Sequence, residues 1–415
     1  MKTILNRLFA CLAAAVLLLL PLASCTEEGG GKTVTLYVYN WGEYLSDGSE
    51  DSLNVNAEFE SYCREVLGIN VRVNYSTYSS NEDMYAKISS GAATYDVIFP
   101  SDYMVQRMIE ENLIAPLDLE KIPNYAYIFD DFKGDNVYYE PHDGNTYSIP
   151  YTYGMVGIIY NTAIVPEDCP TVGSWDLMWD ETFRGDILQF NNSRDAFGTA
   201  LYKLGYDVND ASEAEWREAL ELLKSQKDLV QGYVMDEIFN KMKSGSAAVS
   251  AYYAGDYLSM YEDNEDLAFY YPEEGTNIYV DAMCIPANAE HYDLALEYIN
   301  FLCSEEIAVA NAEYHYYASP NRLVTENEEY QACMAEVHPD AMKILYEDME
   351  TVKSSAYLNL SPEKLTLLND LWEELKVESS IGTGIYICCG VILAAIVALI
   401  VTTILRRRRW AKLYD

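Results

Sequence analysis

Apolar and polar positions change period repeatedly along the chain, from two residues to about 3.6 and back. Val34 to Tyr39 alternates as a strand, and Leu53 to Leu67 then carries helical spacing. Val71 to Tyr75 reads as a second strand, Asn81 to Ser90 as a helix and Tyr95 to Phe99 as a buried apolar strand, with Met104 to Glu111 helical again. This βαβαβ order predicts a parallel sheet covered by helices on both faces, with ligands gathering at the carboxyl ends of its strands. A second set follows. Gly157 to Tyr160, Asp186 to Phe190, Ala247 to Tyr252 and Leu267 to Tyr271 read as strands, and apolar Ala282 to Ile285 runs into Pro286. Phe197 to Leu204, Glu213 to Leu223 and Asp293 to Leu302 read as helices. About 350 residues of such alternation exceed what one hydrophobic core spans. The expected fold class is therefore α/β in two lobes, with a ligand cleft between their strand ends.

Both ends of the chain break this pattern. Lys2 and Arg7 precede an apolar stretch from Ala10 to Leu22, too short to span a bilayer, which runs into Leu22-Ala23-Ser24-Cys25. That arrangement predicts a lipoprotein signal peptide over 1–25 with lipid on Cys25, followed by a polar linker over 26–33. At the other end, after a linker over 376–384, residues 385–405 carry no charge and are long enough for a transmembrane helix. Arg406, Arg407, Arg408 and Arg409 follow, so the tail over 406–415 is expected in the cytoplasm and everything before the helix outside it. The expected location is the cell membrane, with the large domain on its outer or periplasmic face, held by the Cys25 lipid and the C-terminal helix.

The charge balance narrows the partners. Setting aside Lys2 and Arg7 at the start, and five basic residues and Asp415 at the end, leaves 20 basic and 65 acidic side chains, a charge near −45. A nucleic-acid partner is excluded by that sign, and the surface attracts cations. The remaining cysteines, Cys63, Cys169, Cys284, Cys303 and Cys333, are odd in number and lack paired spacing, so buried free thiols are expected rather than disulfides or a metal site. The four histidines show no metalloprotease spacing, and no nucleophile elbow, phosphate loop or dinucleotide fingerprint is present. No enzyme activity, catalytic residue, metal or cofactor is expected.

Tyrosine is abundant, at 37 residues, and several tyrosines stand beside acids where strands end. Examples are Trp41-Gly42-Glu43-Tyr44, Ser101-Asp102-Tyr103 and Tyr279-Val280-Asp281. An aromatic face attracts an ammonium and lies along methylene carbons, while a carboxylate fixes the ammonium by a charge-assisted hydrogen bond. A polyamine, with ammonium groups separated by methylene chains, is the complement of that alternation.

Longer segments carry a family resemblance. Y-N-W-G-E-Y (Tyr39 to Tyr44), S-T-Y-S-S-N-E-D-M-Y-A-K (Ser76 to Lys87) and Y-D-V-I-F-P-S-D-Y (Tyr95 to Tyr103) resemble the first lobe of spermidine/putrescine-binding proteins. Y-S-I-P-Y (Tyr147 to Tyr151), S-R-D-A-F-G-T-A-L (Ser193 to Leu201), L-G-Y (Leu204 to Tyr206), Y-V-D-A-M-C-I-P-A-N-A (Tyr279 to Ala289) and S-P-N (Ser319 to Asn321) continue it in order. The resemblance implies a type II-like periplasmic-binding-protein fold, with lobe 1 from 34–152 and 283–325, lobe 2 from 153–282 and 326–375, and a hinge between them. It further implies capture of putrescine or spermidine for an ABC importer, with the permease and ATPase subunits as partners.

Carried over by motif, Trp41 and Tyr44 would line one wall and Glu43 would sit near a terminal ammonium. Ser101 and Tyr103 would offer oxygen acceptors. Asp195 and Asp281 match the family's acids, and Tyr253 and Tyr279 stand where relatives often have tryptophan. Tyr317 is the aromatic before the S-P-N turn. Asn192 replaces an aspartate that some relatives carry, removing one counter-ion. The same scaffold carrying thiamine or iron, or serving as a membrane-anchored polyamine sensor, is the alternative reading.

Overall fold

The computed structural model describes residues 32–49, 52–347, 351–377 and 402. In the first lobe, β1 (Val34–Trp41) leads to helix α1 (Val55–Tyr62), β2 (Val71–Tyr78), α2 (Asn81–Ser89), β3 (Val97–Ile98) and α3 (Asp102–Glu110). Two of these helices start on side-chain caps: Asn54 accepts from the Ala57 amide and Ser80 from the Asp83 amide. The strands run parallel in the order β2–β1–β3, as the βαβαβ pattern predicts. Buried side chains cover both sheet faces, Leu36, Phe59 and Leu296 among one set and Met84, Met104 and Met108 among the other.

The chain crosses to the second lobe on β4 (Ser148–Asn161), 14 residues long. There it forms β5 (Ile187–Phe190), α4 (Ser193–Leu204), α5 (Glu213–Gln226), β6 (Val230–Val234), α6 (Glu237–Lys243), β7 (Val249–Tyr253), α7 (Ala254–Asp263) and β8 (Leu267–Tyr270). It returns on β9 (Thr276–Cys284) to α8 (Tyr292–Leu302) and α9 (Glu305–His315). The last elements are α10 (Arg322–Thr325), α11 (Glu328–Val337), β10 (Ser354–Ala356) and α12 (Pro362–Val377). Trp175, Phe197, Trp216 and Leu258 are fully buried in the second lobe, and Tyr330, Leu368 and Leu371 join them from the C-terminal helices.

The two lobes are one hydrogen-bonded system, because β4 and β9 pair antiparallel with each other from Ser148–Cys284 to Met155–Ile278. β9 also pairs antiparallel with β3, and β4 with β7 and β8, whereas β5 is parallel to β6 and β7. The parallel sheet expected from the pattern therefore holds within each lobe's βα units, while the strands that cross between lobes run antiparallel. The register shifts between Pro150 and Thr152, where proline has no N–H to give the ladder.

Three expectations need correcting. The α/β two-lobed fold stands, but its C-terminal transmembrane helix does not. Among the described residues no helix is long and apolar enough to cross a membrane, and the span expected over 385–405 lies outside them apart from Thr402. That expectation rested on apolar composition, which measures preference for lipid and not the presence of a helix. The lipidation site Cys25, the signal peptide over 1–25 and the tail over 406–415 also lie outside the described residues. The Tyr95–Phe99 strand shortens to two paired residues. Of the five thiols, all free, Cys63, Cys284 and Cys303 are buried but Cys169 and Cys333 are only partly so.

Candidate ligand-binding site

The loops that leave β1, β3, β5 and β7 at their carboxyl ends converge with β9 on one cavity of about 800 Å³, counting its open mouth. Trp41, Glu43, Tyr44, Ser101, Tyr103, Asn192, Asp195, Tyr253, Tyr279, Asp281 and Tyr317 all line it. The structure thus brings together every residue singled out from the sequence motifs. It adds Glu82, Asp102, Arg194, Asp236, Asp256 and Tyr357, which no motif had marked as site residues.

Among the described residues, seven carboxyl groups and one guanidinium face this space. Five of the carboxyls receive a tyrosine hydroxyl, Asp102 Oδ2 from Tyr138 among them. Tyr44 Oη donates to Asp281 Oδ2 at 2.6 Å, Tyr317 Oη to Asp256 Oδ2 at 2.6 Å, Tyr253 Oη to Asp195 Oδ2 at 2.7 Å and Tyr103 Oη to Glu82 Oε1 at 3.0 Å. Each phenol holds its carboxylate in place and supplies only part of the charge compensation a buried anion needs. The rings also touch one another. Tyr44 meets Tyr317 edge-on at 5.0 Å and Tyr253 meets Tyr279 at 5.3 Å.

Burial pushes these acids up. Asp281 rises to about 6 against the opposing pull of the Ser101 and Tyr44 hydroxyls, and the nearby Asp195 charge adds to the rise. Asp256 rises to about 8, again chiefly by burial and despite Tyr317. Asp195 and Glu82 are raised for the same first reason. Asp281 Oδ1 and the Tyr279 hydroxyl are buried without a hydrogen bond of ordinary length. A buried carboxylate oxygen without an ordinary hydrogen bond, lining the same aromatic cavity as a free hydroxyl, is a binding position for a cation that donates hydrogen bonds.

Local structure explains how these groups are held. Asp281 lies on the crossover strand β9, bridged to Ser101 at the start of α3. Asn81 fixes Ser101 from both sides, its Nδ2 donating to Ser101 Oγ at 2.9 Å and its Oδ1 accepting from the Ser101 amide at 3.1 Å. Trp41 is anchored by its indole N–H to the Phe99 carbonyl at 2.9 Å. Glu43 adopts a left-handed backbone with φ of 50°, a conformation that costs an L-residue about 1–2 kcal/mol. Gly42 precedes it for lack of space, since a Cβ there would sit 2.7 Å from Asp236 Oδ2 of the opposite lobe.

Asn192 has a different task from that of a ligand acceptor. Its Oδ1 caps α4 by accepting from the Asp195 amide at 2.8 Å, while its Nδ2 donates to Asp195 Oδ2 at 2.8 Å. Both polar ends of the amide therefore position Asp195. Arg194 is buried next door, its guanidinium 4.5 Å over the Tyr357 ring and its Nη2 bonded to Asn209 Oδ1 and the Leu358 carbonyl. Across the mouth, Asn359 from the second lobe meets α3 of the first, its amide donating to Gln106 Oε1 at 3.0 Å and its Nδ2 to Glu110 Oε2 at 2.8 Å.

Known proteins share this architecture. The family described as bacterial extracellular solute-binding protein matches residues 57–335. The spermidine/putrescine-binding periplasmic protein of Escherichia coli K12 is 31% identical over 343 residues, covering 82% of this chain and 91% of that protein. The substrate-binding protein PotD of a Streptococcus pneumoniae spermidine/putrescine ABC transporter is 31% identical, with a TM-score of 0.63 over 83% of this chain and 99% of that one. The Tp0655 (TpPotD) lipoprotein of Treponema pallidum is 26% identical, with a TM-score of 0.67 over 82% and 99%.

Proposed function

The chain belongs to the bacterial extracellular solute-binding proteins and, within them, to the spermidine/putrescine-binding group, and from that membership we propose how its cleft takes a polyamine. It is an extracytoplasmic solute-binding component of an ABC importer that captures polyamines. One ammonium rests at Asp281 and Asp256, beside the Tyr279 hydroxyl. A second rests at Asp195 and Glu82. The methylene chain between them lies against the Tyr253, Tyr279 and Trp41 rings. The observation that carries this assignment is the set of five tyrosine-bonded acids around an aromatic cavity, with Asp281 Oδ1 buried without an ordinary hydrogen bond.

Binding here needs no covalent step. An ammonium entering the cavity supplies the charge that the buried carboxylates lack, and each carboxylate replaces water lost by the ammonium. Closure of the lobes about β4 and β9 completes the contacts from both sides, and the closed form is what the permease recognises. Lipid on Cys25 is part of the proposal, supported by the basic head, apolar run and small residues before that cysteine. Calorimetric titration with putrescine, cadaverine, spermidine and spermine tests the reading. Tight binding of at least one supports it, and no heat with any of them refutes it.

A further inference from the structure

Next to the binding cavity lies a narrow crevice of about 160 Å³, counting space open to solvent, lined in part by Val156, Trp175, Phe190, Thr199, Tyr202 and Thr276. The two spaces share a wall. Asp195, Asn277 and Tyr357 line both the cavity and the crevice. Of these three, Tyr357 brings by far the largest side chain to that wall. It comes from the segment just after β10, far in sequence from every motif that built the site.

The ring is held from several sides. The Arg194 guanidinium stacks 4.5 Å over it, and Tyr103 packs edge-on at 6.3 Å. Its hydroxyl reaches α4 at Gly198, where a Cβ would come within 2.0 Å of the oxygen, so only glycine lets the ring sit there. Tyr357 is itself buried. Elsewhere in the cavity wall the Tyr317 ring packs directly on Gly255, where a Cβ would fall 2.8 Å from ring carbon Cγ.

Resting on the polyamine reading above, the geometry points to Tyr357 as the residue that makes this site select a primary, unsubstituted ammonium end. The terminal nitrogen stops at Asp195, and any N-alkyl group beyond it runs into the Tyr357 ring. A hydrogen on the terminal nitrogen is accommodated and a carbon chain is not. The crevice beyond presents Val156, Trp175 and Phe190 beside Thr199, Tyr202 and Thr276, so once the ring is removed an alkyl tail has an apolar side to lie along.

The test compares putrescine with N-propylputrescine on the wild-type chain and on Tyr357→Ala, Tyr357→Leu and Tyr357→Phe. The wild-type chain is expected to bind N-propylputrescine about tenfold or more weakly than putrescine, the discrimination a filled pocket exerts against added carbon. Tyr357→Ala and Tyr357→Leu should shrink that ratio to about threefold or less, while Tyr357→Phe, which keeps the ring and loses only the hydroxyl, should preserve it. Equal affinities for the two ligands on the wild-type chain would overturn the inference, whatever the variants do. So would an unchanged ratio in a truncated variant that still binds putrescine. Failure of the wild-type chain to bind putrescine or any other polyamine would instead overturn the functional reading beneath it.

Discussion

Asp281 is the residue on which the cleft depends most, because Tyr44 holds one of its oxygens and the other is buried without an ordinary hydrogen bond. Asp281→Asn keeps the shape and removes the charge, so polyamine affinity should fall by about tenfold or more while circular dichroism stays native. A wild-type affinity in that variant would remove Asp281 from the site. The acid's raised value of about 6 gives the sign of the pH effect. Below it the carboxyl is neutral and offers an ammonium no charge, so calorimetric affinity should decline as pH falls through about 6. Asp256, raised to about 8, holds a proton in the empty cleft at neutral pH. Binding should therefore release protons, read as a heat that changes with the ionisation enthalpy of the buffer. Acids and aromatics next to strand ends were legible in the sequence because strand ends meet the cleft. Asp256 was not. It follows Tyr253 by three residues on the first turn of α7, and only the packing of Tyr317 across that turn brings it inside. Tyr357 follows β10, a three-residue strand that hydrophobic periodicity cannot detect.

At the scale of elements, the crossover strands and the caps decide how the lobes meet. β4 carries Gly157 where β8 packs over it, and a Cβ would fall 2.2 Å from the Phe269 ring and 2.7 Å from the Tyr270 carbonyl. Gly157→Ala should destabilise the protein by about 1–3 kcal/mol, seen as a lowered thermal midpoint, since backbone on one side cannot give way. The link between Asn359 and α3 lies outside the cavity yet joins the lobes. Asn359→Ala removes the Nδ2–Glu110 bond and keeps the backbone bond to Gln106, so it should speed polyamine dissociation several-fold in stopped-flow measurements, with about 1 kcal/mol of closed-state stabilisation lost. The order of strands and helices in the first lobe was readable from period changes, whereas in the second lobe β6, α6 and α7 escaped them. The pairing of β4 with β9 was not, because strands buried on both faces lose the alternation that reveals register. Most of β4 is buried on both sides, and only its Gly157–Tyr160 stretch had been recognised.

Across the whole molecule, a net charge of −39 surrounds a cleft in which burial raises several acids. Asp281, Asp102 and Asp256 reach about 6, about 7 and about 8, in each case chiefly through burial. Their folded values exceed the ordinary 3.8, so the stability they contribute is full below that value and is lost as pH rises through about 6 to 8. The ligand-free protein should accordingly unfold at a higher temperature near pH 5.5 than near pH 8, and bound polyamine should narrow that gap by supplying the missing cations. The sequence pattern already implied two α/β lobes and an extracytoplasmic collector of cations. It over-read the apolar C-terminal stretch, because composition suited to lipid does not establish an element of the fold. Calorimetric titration of the purified protein with putrescine, cadaverine, spermidine and spermine near pH 7.5 tests the central claim most directly. The account predicts one-to-one binding of at least one of them, tight enough to be measured and abolished or strongly weakened in Asp281→Asn. No binding of any polyamine, or binding indifferent to Asp281, would contradict it.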